Sequence, residues 1–158
     1  MKNFVIGTAL AALALVASPA SARDFSGPRV EVTAGTDDVT GRADTTNVTY
    51  GVGAGYDVQF GKVVAGVEAG VDNVFDRRDI AVGARLGYVL NENVLAFTKV
   101  SYSNFKPTNR LTLEGVRVGG GLEVNVVGPV YAKVEYRYTD FEGTTGKHGG
   151  LVGVGYRF

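Results

Sequence analysis

One histidine stands in the chain, His148, and the residues with which it could build an acyl-transfer centre are Ser101, Ser103 and Asp140. That chemistry needs a hydroxyl within reach of a base and an acid that orients the base. His148 lies among Gly146, Lys147, Gly149 and Gly150, a loop-like stretch at the start of the last strand, where nothing fixes the ring. A solvated histidine is the favoured reading there. Asp37-Asp38 and Asp76 with Asp79 lack a calcium-loop spacing and read as solvated loop charge. Gly119-Gly120-Gly121 lies in mid-strand with no helix after it, which rules out a phosphate cradle. With no cysteine there is no thiol nucleophile and no disulfide framework. Catalytic, cofactor and metal sites are therefore left unassigned.

The remaining chemistry is charge at alternate positions. Glu31, Asp57, Glu68, Asp72, Glu123 and Glu135 match Arg85, Lys99, Arg117, Lys133, Arg137 and Arg157 in number. Such a set is either an ion path or proton relay, or a structural plug of paired charges. The balance of signs favours the plug.

Strands must position these residues. Successive side chains of a strand point to opposite faces, and eight segments alternate in this way. They run over residues 29–35, 47–60, 62–72, 79–90, 94–103, 113–126, 130–139 and 149–158. Tight connections at Gly61-Lys62, Asn91-Glu92-Asn93 and Val127-Gly128-Pro129 carry turn residues. They alternate with longer polar loops over 36–46, 73–78, 104–112 and 140–148. One parity collects apolar side chains, among them Val30, Val32, Val52, Val67, Leu86, Val100, Val118, Val134 and Val154. The strand charges all take the other parity, with glycines such as Gly53, Gly66, Gly121 and Gly155 among them. Tyr56, Phe60, Tyr88, Tyr156 and Phe158 fall near the short turns, and Tyr50, Tyr102, Tyr136 and Tyr138 near the long loops. Two aromatic levels are expected of a wall that crosses a bilayer.

The first residues agree. Lys2, an apolar run through Ala17, and Ala20 and Ala22 at an A-x-A site describe a cleaved leader. The domain organisation is thus a signal peptide over 1–22 and a β-barrel domain over 23–158, the mature chain starting at Arg23. No later stretch is long and apolar enough for a membrane helix. An exported chain that enters lipid without one must close its strands, because every backbone group has to be paired internally. The chain holds 16 basic and 16 acidic residues, and losing Lys2 leaves 15 basic, a net charge near −1. That is no footprint for nucleic acid. The fold class is all-β, an eight-stranded antiparallel up-and-down transmembrane β-barrel. At that strand count the lumen holds side chains only.

Three stretches carry a family resemblance. Gly115-Val116-Arg117-Val118-Gly119-Gly120-Gly121-Leu122-Glu123, then Val130-Tyr131-Ala132-Lys133-Val134-Glu135-Tyr136-Arg137-Tyr138-Thr139-Asp140-Phe141, then Gly153-Val154-Gly155-Tyr156-Arg157-Phe158 resemble the opacity-protein-like, OmpA-like outer-membrane barrels. Ser101 stands where that family usually has glycine before the tyrosine of the fifth strand. The resemblance implies the outer membrane of a Gram-negative bacterium, with its lipid and lipopolysaccharide as surroundings. It implies insertion by the barrel assembly machinery, which would read Gly153, Tyr156 and Phe158. It does not imply one activity. The favoured function is a monomeric, non-enzymatic surface barrel with a filled lumen. It would support the envelope and meet other surfaces through its loops, those bearing Thr40, Thr45, Thr46, Thr144 and Thr145 first. The surface ligand is unassigned. A narrow porin-like channel, a lipid A-modifying enzyme and a soluble periplasmic β-protein are the alternatives.

Overall fold

The computed structural model describes residues 24–39, 46–73, 78–108, 111–141 and 146–158, the side chains of residues 39, 46, 105–108, 111–113 and 141 excepted. Eight strands follow one another: β1 (Gly27–Val39), β2 (Thr46–Phe60), β3 (Val63–Asp72), β4 (Asp79–Asn91), β5 (Val94–Thr108), β6 (Leu111–Val127), β7 (Val130–Phe141) and β8 (Lys147–Arg157). Each pairs antiparallel with the next, and β8 pairs back onto β1, closing the barrel. Strand order, direction and closure agree with the sequence expectation.

The register sets the barrel's dimensions. From Asp37 the pairs run through Gly149, Arg137, Gly119, Lys99, Arg85, Gly66 and Asp57 to Gly27. One circuit therefore returns to β1 ten residues below its start, since 37 less 27 is 10. A stagger of this size goes with strands tilted by roughly 35–45° to the barrel axis. The same circuit sets a glycine beside each charged side chain, even where Lys99 and Arg85 adjoin, so each large group has space on at least one side. A Cβ on Gly66 would meet the Asp57 carboxylate, and one on Gly155 would meet the Tyr131 ring.

Turn chemistry closes the lower end. Gly61 and Gly128 adopt φ of 63° and 53° in the β2–β3 and β6–β7 connections, which glycine enters without steric cost. Asn91 accepts the Asn93 N–H at 2.9 Å in the β4–β5 turn. The outer end differs from the sequence expectation. The alternating pattern reads as ending at Ser103, before a polar loop, yet the ladder of β5 continues through Asn104↔Glu114 and Phe105↔Leu113 to Thr108↔Leu111. A register shift between Phe105 and Thr108 takes up Pro107, which has no N–H to give to a ladder. β1 likewise runs on past Gly35 to Val39, and β8 begins at Lys147. The outer connections are correspondingly shorter than the pattern of polar residues suggested.

Large apolar side chains on the outward parity are exposed all round the wall: Val52, Val67, Leu86, Val100, Val118, Val134 and Val154 among them. Tyr56 and Tyr88 are exposed towards the tight turns, Tyr50, Tyr102 and Tyr138 towards the other rim. This surface suits lipid rather than water, because charge at mid-bilayer costs about 2–4 kcal/mol for Arg or Lys. The inward side is mostly polar, with Phe97 and Leu151 among its charges and an apolar floor of Phe25, Val64, Leu95 and Val89 at the tight-turn end.

Candidate functional site in the lumen

Ion pairs fill the lumen in three levels. At the level near the tight turns, Asp57 of β2 accepts from Arg29 Nε at 3.0 Å and from Arg157 Nη2 at 3.2 Å. Arg85 Nε lies 3.5 Å from its other oxygen. Glu123 of β6 takes Arg85 at 2.9 Å and Arg157 at 2.8 Å. Both carboxylates are wholly buried.

In the middle, Arg29 spans Glu31 at 3.1 Å and Glu68 at 2.6 Å. Lys99 bridges Glu68 and Glu135, each at 2.8 Å. Lys133 bridges Glu31 at 2.5 Å and Glu135 at 2.9 Å, and the Tyr131 hydroxyl donates to Glu31 at 2.9 Å. At the outer level, Arg137 holds Asp37 at 2.9 Å and Asp72 at 2.6 Å. Arg117 reaches Asp72 at 3.2 Å and also pairs with Asp79. Lys147 meets Asp37 at 2.7 Å.

Each level is neutral as a set. Asp57 and Glu123 balance Arg85 and Arg157. Glu31, Glu68 and Glu135 balance Arg29, Lys99 and Lys133. Asp37, Asp72 and Asp79 balance Arg117, Arg137 and Lys147. A buried charge without a partner is costly, whereas a paired and hydrogen-bonded one is tolerable. Between the outer and middle levels lies a polar cavity of about 40 Å³, bordered by Glu31, Glu68, Asp72, Lys99, Arg117 and Arg137. It has room for a few waters.

Sequence parity named Glu31, Asp57, Glu68, Arg85, Lys99, Arg117, Glu123, Lys133, Glu135, Arg137 and Arg157, and the structure brings these together across the barrel. It adds Arg29, Asp37, Asp79 and Lys147, which the sequence reading left in loops or at a strand end. Asp37 lies in β1 and Asp79 opens β4, both buried, so neither is the solvated loop carboxylate expected of it. Their parity matched the other inward acids. A first strand drawn too short hides Asp37, and Asp79 escapes notice because it stands at a strand end beside a polar loop.

The candidate catalytic residues are separated by the wall. Ser101 and Ser103 are buried on the inward side, and Ser103 Oγ donates to Asp79 at 2.6 Å. His148 belongs to β8 rather than a loop, paired with Asp38 and Tyr138 on the outward parity. Its ring centre is 6.5 Å from that of Tyr136. Serine and imidazole on opposite sides of a sheet form no nucleophile–base pair. Among the described residues no group of three or more acidic or histidine side chains is arranged to hold a metal.

At the chain end the Tyr156 and Phe158 rings lie 4.8 Å apart. The Phe158 N–H donates to Pro28 O at 2.9 Å, and Gly153 faces inward opposite Thr33 and Lys133. The leader over 1–22, Asp76, Arg77, Thr40, Thr45, Thr144 and Thr145 lie outside the described residues, as does the side chain of Thr46.

The family model described as the outer membrane protein beta-barrel domain matches residues 8–158. A 22 kDa outer membrane protein of Rhizobium leguminosarum bv. viciae is 32% identical over 116 residues, which is 60% of this chain and 54% of that protein. A 25 kDa outer-membrane immunogenic protein of Brucella ovis is 29% identical over 125 residues, 68% of this chain and 62% of the relative. The chain thus spans little more than half the length of these relatives. Among solved structures, that of Ail, the attachment invasion locus protein of Yersinia pestis, aligns with a TM-score of 0.56 at 17% identity. The alignment covers 84% of this chain and 97% of Ail, a likeness of fold.

Proposed function

Since this chain belongs to the outer membrane protein beta-barrel domain family, we propose that it is a monomeric, non-enzymatic surface barrel of a Gram-negative outer membrane. Its lumen is closed by paired charge, and its outer connections carry the contacts with other surfaces. The neutral three-level lumen is the observation that carries this reading. An eight-stranded wall leaves little bore, and the groups in it hold one another at hydrogen-bond distance. The separation of His148 from Ser101 and Ser103 supports a role without acyl transfer. The Brucella relative's name, an immunogenic outer-membrane protein, favours exposure at the cell surface.

In this reading residues 1–22 direct export and are removed. The strand that ends in Tyr156 and Phe158 is read by the barrel assembly machinery, and lipopolysaccharide surrounds the outer rim. Planar-bilayer recording tests the closed lumen. The refolded protein is expected to give no steady single-channel steps, and regular steps would replace this reading with a narrow channel. Intact mass of the membrane-extracted protein tests the leader, with Arg23 expected as the first residue.

A further inference from the structure

The segment ahead of β1 does not trail away from the barrel. Phe25 is wholly buried, although only one residue separates it from β1. Its ring forms one buried cluster with Val64 of β3 and Leu95 of β5, against which Val89 of β4 packs, and β5 lies four strands from β1, on the far side of the barrel. From β8, the Arg157 guanidinium lies 5.4 Å from the ring centre. A side chain that leaves the foot of β1 and meets β3, β5 and β8 crosses the whole mouth.

The backbone is built to keep it there. The Phe25 N–H donates to Gln59 Oε1 at 2.8 Å, and the Gln59 N–H donates to Ser26 Oγ at 2.8 Å. Ser26 in turn donates through N and Oγ to Asp24 Oδ1 at 3.1 and 2.9 Å. Gly27 then turns the chain up into the strand with φ of 115°, and a Cβ there would strike the Phe158 carbonyl. Arg157, over the ring, belongs to the lowest level of charge, where it pairs with Asp57 and Glu123.

We propose that Asp24–Ser26 is a stopper, with Phe25 as its head and Gln59 as its latch, that bars water and small ions from the tight-turn mouth of the lumen, the periplasmic side in barrels of this kind. The stopper rests on the reading of a closed barrel in the outer membrane and deepens it. Ion pairs alone do not exclude water, because each charged group is a hydration site. An apolar disc beneath them does, and Phe25 is the side chain that completes the disc. Gln59 is a positioning residue, acting through the Phe25 and Ser26 backbone.

The absence of native cysteine makes the test clean. Val64→Cys places a small thiol in the floor. Its reaction with a positively charged methanethiosulfonate reagent is followed on the protein in detergent, scoring only the compact band seen without boiling. Val64→Cys alone is expected to react slowly. With Phe25→Ala added, labelling is expected to quicken about tenfold or more, as local opening becomes easy. With Phe25→Leu added, it is expected to stay slow. Should Phe25→Ala give no compact band, Gln59→Ala replaces it, and faster labelling is again expected. Equal labelling rates with and without the floor variant would overturn the stopper. A barrel that gives no channel steps yet labels equally with and without the floor variant would refute the stopper and leave the closed lumen standing, whereas steady channel steps would overturn both, so the two failures are told apart.

Discussion

Glu123 shows what a buried acid in this wall depends on. Its two oxygens face Arg85 and Arg157, the two cations at salt-bridge distance among the described residues. Glu123→Leu would leave the two guanidinium groups facing the single carboxylate of Asp57, an excess of one positive charge, and breaking such a buried pair costs about 3–5 kcal/mol. Adding Arg85→Met restores the balance, because Asp57 and Arg157 remain paired at 3.2 Å. The double variant is therefore expected to lose less stability than the two single losses combined, with a coupling of about 0.5–3 kcal/mol. Urea titration of the four proteins in lipid vesicles measures it, and additive losses would show that neutrality of the level is not what holds it. At this scale the sequence was legible through parity. Glu31, Lys133 and Arg137 declare their side by the residues that flank them. Which acid meets which base is not legible, because partners such as Glu31 and Lys133 lie on strands far apart in sequence and are joined only by closure.

The elements are held by what surrounds each face. Val118 lies midway along β6 on the outward parity and is about half exposed. Val118→Arg places a charge where acyl chains lie, at a cost of about 2–4 kcal/mol, and is expected to abolish the compact gel band. Glu92→Arg, in the β4–β5 turn, is expected to keep it. Equal tolerance of the two would undo the assignment of faces. Strand existence and order were legible because alternation is a strong local signal. The outer ends were not, because alternation weakens where a strand leaves the apolar band. Thr36, Asp38, Glu114 and Asp140 stand on the outward parity near strand ends, so the expectation that every strand charge faces inward holds along the apolar band and fails at the rim, where a polar residue resembles a loop residue. The stopper was hidden for a different reason. Phe25 belongs to no alternating run, and its burial follows from the far wall, which a local pattern does not contain.

For the molecule as a whole, the closing seam between β1 and β8 decides the behaviour of the terminal strands. In an antiparallel strand, neighbouring residues send their N–H groups towards opposite partners. Were β8 the edge of an open sheet, one of any two adjacent residues would have a free N–H, and proline would be tolerated there. Leu151 and Val152 are such neighbours. Leu151 sits between Gly35 of β1 and Glu135 of β7, Val152 between Ala34 and Val134. Closure leaves neither N–H idle, and lipid offers no replacement partner for a displaced backbone group. Leu151→Pro and Val152→Pro are both expected to prevent the compact, heat-modifiable form, as severely as Val100→Pro in β5, which is flanked by β4 and β6. An open sheet predicts the opposite asymmetry, with one of the β8 variants folding normally while the β5 variant fails. Gel mobility before and after boiling, read on all three, therefore reports on closure itself, without reference to any loop or ligand.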